Sequence, residues 1–306
     1  MSSQPASKAP VRLTGEALPA CLRDVSVPPR GLWCLGDVKV LGLCAQQAVA
    51  IVGTRDASEY GERTAGKLAT AAVRAGYVVV SGLARGVDAA AHRAAIEAGG
   101  RTIAVLGTGV DVPYPAGHRS LHQLVQENGA VVSEMEPGRT AFPGCFPRRN
   151  RIIAGLAKLL VVVEAGFRSG AMNSASWAQQ AQREVAAVPG HIDDPRAAGS
   201  NQLIRDGASV VADVDDLLMI LGLSTSDGSA GRSQLAAAEH QGPDLLPEDH
   251  LILLALGTRP VSVSEIACAS GLSVRQVGSA LLRLEIGGRV EATPGGYLPG
   301  SFPCRT

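Results

Sequence analysis

Three apolar runs in this chain each end in a Gly- or Ser-rich turn: AVAIVGTR (48–55), YVVVSGLARGVD (77–88) and TIAVLGTGVD (102–111). Uninterrupted apolar runs of this length are the pattern of strands buried on both faces of a parallel sheet. In an open α/β sheet the turns after such strands line the ligand crevice. Tips rich in Gly, Ser and Thr therefore predict a site where backbone N–H groups meet an anion: a nucleotide, a phosphorylated metabolite or a nucleic-acid backbone.

The rest of the chain extends that alternation. Residues 1–10 read as a disordered tail rich in Ser, Pro, Ala and Lys. Residues 11–47 read as a lead-in, with a short helix over Leu13–Leu22 and a strand over Gly31–Gly36. From Ala48 to Leu221, strands alternate with helices, which predicts a Rossmann-like, doubly wound, mostly parallel sheet. The expected α/β domain spans 11–222 and a linker spans 223–246. A winged helix-turn-helix follows over 247–300, with three helices, a Gly turn and a β-hairpin.

Bulk properties narrow the function. Lys+Arg and Asp+Glu both total 28, so the formal charge is zero, which argues mildly against a nucleic-acid binder while leaving room for a local basic strip. The six cysteines form no CxxC pair, so neither a zinc site nor a disulfide framework is expected. With no apolar leader and no run of membrane-spanning length, a cytoplasmic protein with no membrane role is expected.

The candidate site begins at the first turn, Gly53–Thr54–Arg55, where glycine permits close approach and Arg55 can grip a phosphate. A tight turn with a surface arginine is an equal reading. The second turn offers Ser81, Gly82 and Arg85, with Asp88 as a candidate cap for the next helix. In that helix, His92 reads best as a surface or capping histidine. The third turn contributes Gly107 and Gly109 and runs on to Tyr114, whose ring could stack on a base or close the loop. The densest cationic segment is Phe146-Pro147-Arg148-Arg149-Asn150-Arg151. The bland reading is a solvated helix start, but arginines there oppose the helix dipole, so the favoured reading is an anionic partner met by phosphate contacts and base stacking. Ser169 and Gly170 open another helix whose N–H groups face the crevice. Glu164 is expected to pair with one of the arginines. No GxGxxG, P-loop, HExxH or nucleophile elbow is present, so no cofactor, metal or catalytic residue is expected.

The ordered series VGTR, SGLARGVDAAAH, GTGVDVPYP, Ser133–Glu134, FPRRNRIIAGL, EAGFRSG and VPG (188–190) resembles the DNA-processing protein A family (DprA, also called Smf) over about residues 11–222. The C-terminal unit is similar to the winged helix of many members. The resemblance implies a single-stranded DNA-binding protein that protects incoming strands and loads the RecA recombinase during natural transformation. It also implies a homodimer through the Rossmann-like domain and no turnover. By the same resemblance, Arg55 and the Phe146/Arg149/Arg151 region line the DNA groove, and the Ser81–Gly82 and Gly107–Gly109 turns help bind phosphates. Three positions depart from the family pattern: His118 in place of a common Asn, Ser174–Ala175 for Thr-Ala, and Pro143 where some relatives carry a basic residue.

Two other readings remain. One is an enzyme related to nucleoside-monophosphate phosphoribohydrolases, which carry a PGGxGT signature where this chain has Ser169-Gly170-Ala171-Met172. The other is a nucleotide-sensing module. Within the winged helix, Val274–Ile286 carries Arg275 and Arg283 against Glu285, a slight excess that favours a protein-contact role over duplex reading.

Overall fold

The computed structural model describes residues 9–23, 25–44, 46–142, 144–223, 247–256, 260–286, 289–293 and 295–299. Residues 1–8 of the expected tail (1–10), residues 224–246 of the expected linker (223–246) and Pro143 lie outside the described residues. Chain contacts divide the molecule into two compact units, Met1–Thr225 and Ser226–Thr306.

The first unit is built on a nine-stranded sheet. Its strands are β1 (Val11–Leu13), β2 (Leu32–Gly36), β3 (Ala48–Val52), β4 (Val78–Ser81), β5 (Thr102–Leu106), β6 (Gly129–Ser133), β7 (Leu159–Val162), β8 (Glu184–Ala187) and β9 (Ser209–Val210). The spatial order is β1-β2-β6-β5-β4-β3-β7-β8-β9. All pairs are parallel except β1–β2 and β2–β6. β3, β5 and β6 are buried along their whole length, which is why they read as unbroken apolar runs without alternation.

Helices cover both faces. α1 (Ala20–Arg23), α5 (Cys145–Leu156) and α6 (Gly170–Gln180) cover one face through Leu22, Ile152, Ile153, Leu156 and the small residues Ala171, Ala175 and Ala178. α2 (Glu59–Arg74), α3 (Val87–Glu97) and α8 (Val214–Ile220) cover the other, where Ala65, Ala69, Ala72, Ala91 and Ala95 allow close approach. α4 (Arg119–Asn128) packs beside α3 over β2, β5 and β6, and α7 (Ala198–Arg205) lies against β8. Buried Cys34, Cys44 and Cys145 are free thiols. Burial pushes Cys34 up to about 12, so it packs as a small hydrophobe and is no nucleophile at neutral pH.

The topology fixes where a ligand can sit. From β3 the chain winds outward through β4, β5 and β6, then crosses back to lay β7 against the other side of β3. The winding direction therefore reverses between β3 and β7, and the crevice opens over their carboxyl ends.

The expected α/β alternation is present, with two differences. The single helix expected over Leu13–Leu22 is instead β1, a 3-10 turn at Gly15–Ala17 and α1. Gly15 at φ +56° and Pro19 interrupt any helix there. α7 was not foreseen, because only Leu203 carries its buried apolar signal.

The second unit packs the helices Pro247–Ala255, Val263–Ser270 and Val274–Ile286 around Ile252, Ile266, Val277, Leu281 and Leu284. A hairpin of Val290–Thr293 and Gly296–Pro299 completes a winged helix. Gly271, left-handed at φ +70°, ends its second helix as the sequence implied. Among the described residues no helix is long and apolar enough to cross a membrane.

Candidate functional site

The crevice presents an arginine–aromatic cluster. The Arg55 guanidinium lies 5.2 Å from the centroid of the Phe146 ring, and the Tyr114 ring packs 4.9 Å from Phe146 at 36°. Arg55, Arg85, Arg148 and Tyr114 are exposed. Among the described residues Arg55 joins no ion pair, so its charge is available to a ligand. Two cavities meet at this cluster and share Arg55, Ala84, Phe146 and Arg149. The larger, about 440 Å³, lies over the β3–β7 reversal and is lined by Gly53, Thr54, Ser169, Gly170 and Asn173. The smaller, about 290 Å³, is lined by Arg85, Tyr114 and Pro115.

The start of α6 faces the larger cavity. First-turn N–H groups have no intrahelical acceptor; the Ser169 hydroxyl takes the one from Met172, at 3.4 Å. The exposed backbone at Gly170 and the positive end of the helix remain as an anion-attracting rim.

Several residues expected to touch phosphates are committed inside the protein. Arg149 is 7% exposed, and its guanidinium donates to the carbonyls of Gly82 (2.7 Å) and Val105 and to Asn150 Oδ1 (3.1 Å). Gly82 lacks the Cβ that would collide with that guanidinium. Arg151, 3% exposed, donates to the carbonyls of Val27 and Arg148 and pairs with Glu134 at 2.6 Å. Glu134 also sits 3.5 Å from Arg148. The anionic partner that the helix start demanded is thus internal for Arg151. Asn150 is buried too, donating to Gly170 O and Asn173 Oδ1.

The strand-tip N–H groups are likewise consumed. Thr54 N–H donates to Glu164 O (2.7 Å), Gly82 and Ala84 N–H to Asp88 Oδ2 (3.1 and 3.4 Å), and Gly109 N–H to Arg139 O (2.8 Å). The Ser81 hydroxyl donates to Ile51 O at 2.6 Å. A Cβ at Gly53 would collide with Val87, and one at Gly107 would press on Cys145 and Phe146. These glycines let turns and helices pack closely; the free positive charge comes from Arg55 and Arg85, while Arg148 shares Glu134 with Arg151.

Three further expectations are corrected. His92 is fully buried and no surface or capping residue: Nδ1 meets Thr102 Oγ1 at 2.7 Å and Nε2 has no partner. Burial, reinforced by Arg149 and His118, pushes its pKa down to about 3. Asp88 does not cap α3, whose N-cap is Gly86; it ties down the turn before it. Burial pushes Asp88 up while Arg149 and the turn's N–H groups pull it down. Burial also lowers Arg149 to about 10, so it stays cationic at neutral pH. Glu164 holds no arginine by a hydrogen bond. It accepts from the Ser58 N–H (3.0 Å) and hydroxyl, and that hydroxyl in turn caps α2 at Gly61 N–H.

Asn173 was missed as a lining residue, although it stands on α6 within a turn of Ser169–Gly170. Of the departures from the family pattern, His118 bonds Leu83 O at 3.0 Å and Ser174 back-bonds to Gly170 O at 3.2 Å. Among the described residues no cluster of three or more His, Cys, Asp or Glu could hold a metal ion.

Residues 11–222 match the family described as DNA recombination-mediator protein A, and residues 236–296 match the DprA winged helix domain. The chain is 41% identical over 273 residues to the putative DNA processing protein DprA of Mycobacterium tuberculosis, covering 87% of this chain and 68% of that protein. It is 38% identical over 253 residues to Protein Smf of Escherichia coli, covering 82% and 67%. Among solved structures, DNA processing protein A from Streptococcus pneumoniae superposes with a TM-score of 0.65 at 37% identity, covering 68% of this chain and 73% of that one. The Helicobacter pylori protein, solved for its single-stranded DNA binding mode, superposes at 0.63 with 30% identity, covering 69% and 95%.

Proposed function

The chain belongs to the DNA recombination-mediator protein A family, and on that premise we propose that it binds single-stranded DNA along the crevice over β3 and β7 and passes the strand to a RecA recombinase. In this reading it is a cytoplasmic homodimer, joined through the α/β unit, that protects incoming DNA during natural transformation and turns over no substrate. The observation that carries the reading is the cluster of exposed Arg55 and Tyr114 around the half-buried Phe146 ring at the mouth of two adjoining cavities. Aromatic faces accept any base, and cations beside them track the backbone, a combination suited to a strand without sequence preference. Arg55 and Arg85 supply charge, with the solvent-facing Arg148 beside Glu134, and Ser169–Gly170 at the start of α6 supplies N–H groups. The carboxylates Asp88 and Glu164 already hold internal donors, which speaks against a phosphoribohydrolase.

Oligo-dT is expected to bind more tightly than duplex DNA, with affinity falling steeply as salt rises. Arg55→Ala and Phe146→Ala are each expected to weaken binding about tenfold without moving the melting temperature. Loss of Arg55 should also flatten the salt slope by about 0.7, the share of one single-strand phosphate. Fluorescence anisotropy across a salt series measures both. No oligo-dT binding at low salt, with release of a base from a nucleoside monophosphate, would replace the reading with the enzymatic one.

The winged helix is proposed as a protein-contact module. Arg283 is held by Asp249 at 2.7 Å, which leaves Arg275 beside Gly278, Ser279 and Leu282 on the exposed side of Val274–Ile286. Full-length chain carrying Arg275→Ala is expected to bind duplex as the parent does. A marked drop in duplex affinity would instead make this helix a DNA reader.

A further inference from the structure

We propose that Phe142 and Arg139 form a second stacking station for the same strand, a few nucleotides from Phe146; this rests on the single-strand reading above. The Arg139 guanidinium lies 5.9 Å from the centroid of the Phe142 ring, repeating the pairing of Arg55 with Phe146. Phe142 is 37% exposed and Arg139 is exposed as well. A ring that served only to close its own loop would be covered; this one shows surface to solvent with a cation beside it. Arg139 joins no ion pair among the described residues, so its charge is uncommitted like that of Arg55.

The two stations stand on one fastened surface. Gly109 N–H donates to Arg139 O (2.8 Å) and Gly138 N–H to Asp111 Oδ1 (2.7 Å), tying the loop after β6 to the turn after β5. That same β5 turn runs on to Tyr114, which packs on Phe146. Cys145 N–H donates to Phe142 O at 3.2 Å, so a hydrogen-bonded turn separates Phe142 from the start of α5. Such a turn holds the Cα atoms of Phe142 and Phe146 within about 11 Å of each other. A strand rising about 3.4 Å per stacked nucleotide spans that in about three steps. A base on Phe146 and another on Phe142 therefore suit one continuous strand, with Arg139 meeting a phosphate between or beyond them.

The test measures binding of the full-length chain to oligo-dT of about 2 and about 15 nucleotides; the shorter spans one step of about 3.4 Å and cannot reach both rings. Phe142→Ala is expected to weaken the longer oligomer about five- to tenfold and leave the shorter unchanged, while Phe142→Trp restores binding. Phe146→Ala should weaken both. Arg139→Gln should flatten the salt slope by about 0.7 for the longer oligomer alone. Wild-type affinity of Phe142→Ala for both lengths, alongside weakened Phe146→Ala, would sink the second station and leave the parent reading standing. Equal weakening at both lengths would also overturn it, because Phe142 would then act by holding Phe146. If the wild-type chain bound no oligo-dT, both readings would fall together.

Discussion

Replacing Arg149 by methionine is expected to cost about 3–5 kcal/mol of folding stability, the range found when one partner of a buried charge pair is removed. The side chain holds four pieces of chain together. It donates to the end of β5 at Val105, to the β4 turn at Gly82 and to Asn150, which in turn holds the start of α6 at Gly170. Asp88 grips the same Gly82 from its N–H side. Methionine fills much of the volume but leaves two buried carbonyls without donors and the Asp88 carboxylate without its cation. A large fall in the urea midpoint should accompany any loss of oligo-dT binding. Asp88→Asn combined with Arg149→Met should recover part of the loss, because the pair is coupled. If Arg149→Met unfolded at the wild-type midpoint yet failed to bind, the guanidinium would belong to the ligand and its role as an internal strut would be wrong.

The contrast between Arg149 and Arg55 marks where the sequence stops being informative. The apolar runs of β3, β4 and β5 and the Gly-tipped turns after them made the parallel sheet and the place of its crevice legible, because burial on both faces leaves a contiguous signature. Charge carries no such signature. Arg148, Arg149 and Arg151 look equivalent in FPRRNR, and the helical period sends them in different directions. Arg148 reaches solvent, Arg149 points under the β4 turn, and Arg151 meets Glu134 and Val27 O. Glu134 lies fourteen residues before Arg148, across an irregular loop, so no spacing rule announces the pair.

The glycines after the strands are sites of close approach, and the approaching group lies within the protein. At Gly82 it is the Arg149 guanidinium, and at Gly53 it is Val87. The positive charge of the crevice therefore comes less from open backbone N–H groups than from exposed arginine beside an aromatic ring, as at Arg55 and Phe146. A formal charge of zero is compatible with this, because buried arginines satisfy internal acceptors while a few exposed ones carry the local field.

His92 gives the chain a steep acid side. The Thr102 hydroxyl donates to Val79 O at 2.8 Å, so it must accept from His92 Nδ1, which fixes the neutral tautomer with an unpartnered lone pair on Nε2. A second proton would place a buried charge beside Arg149, and the folded pKa is accordingly pushed down to about 3, against an ordinary value near 6.5. Between those values the unfolded chain binds a proton that the folded chain refuses. Stability therefore rises with pH across this window and is lost as pH falls, by up to about 1.4 kcal/mol per pH unit. Asp88 works with the opposite sign, since its raised folded pKa favours the fold at low pH and that contribution fades as pH rises. Comparing wild type with His92→Gln cancels the Asp88 contribution to first order, because both chains carry it. Urea midpoints taken from about pH 7 to about pH 4.5 should fall more steeply for wild type, opening a difference of roughly 2–3 kcal/mol relative to neutral pH. Parallel midpoints across that range would mean that His92 accepts its proton in the folded state, through an opening of the core beneath the crevice or a water reaching Nε2.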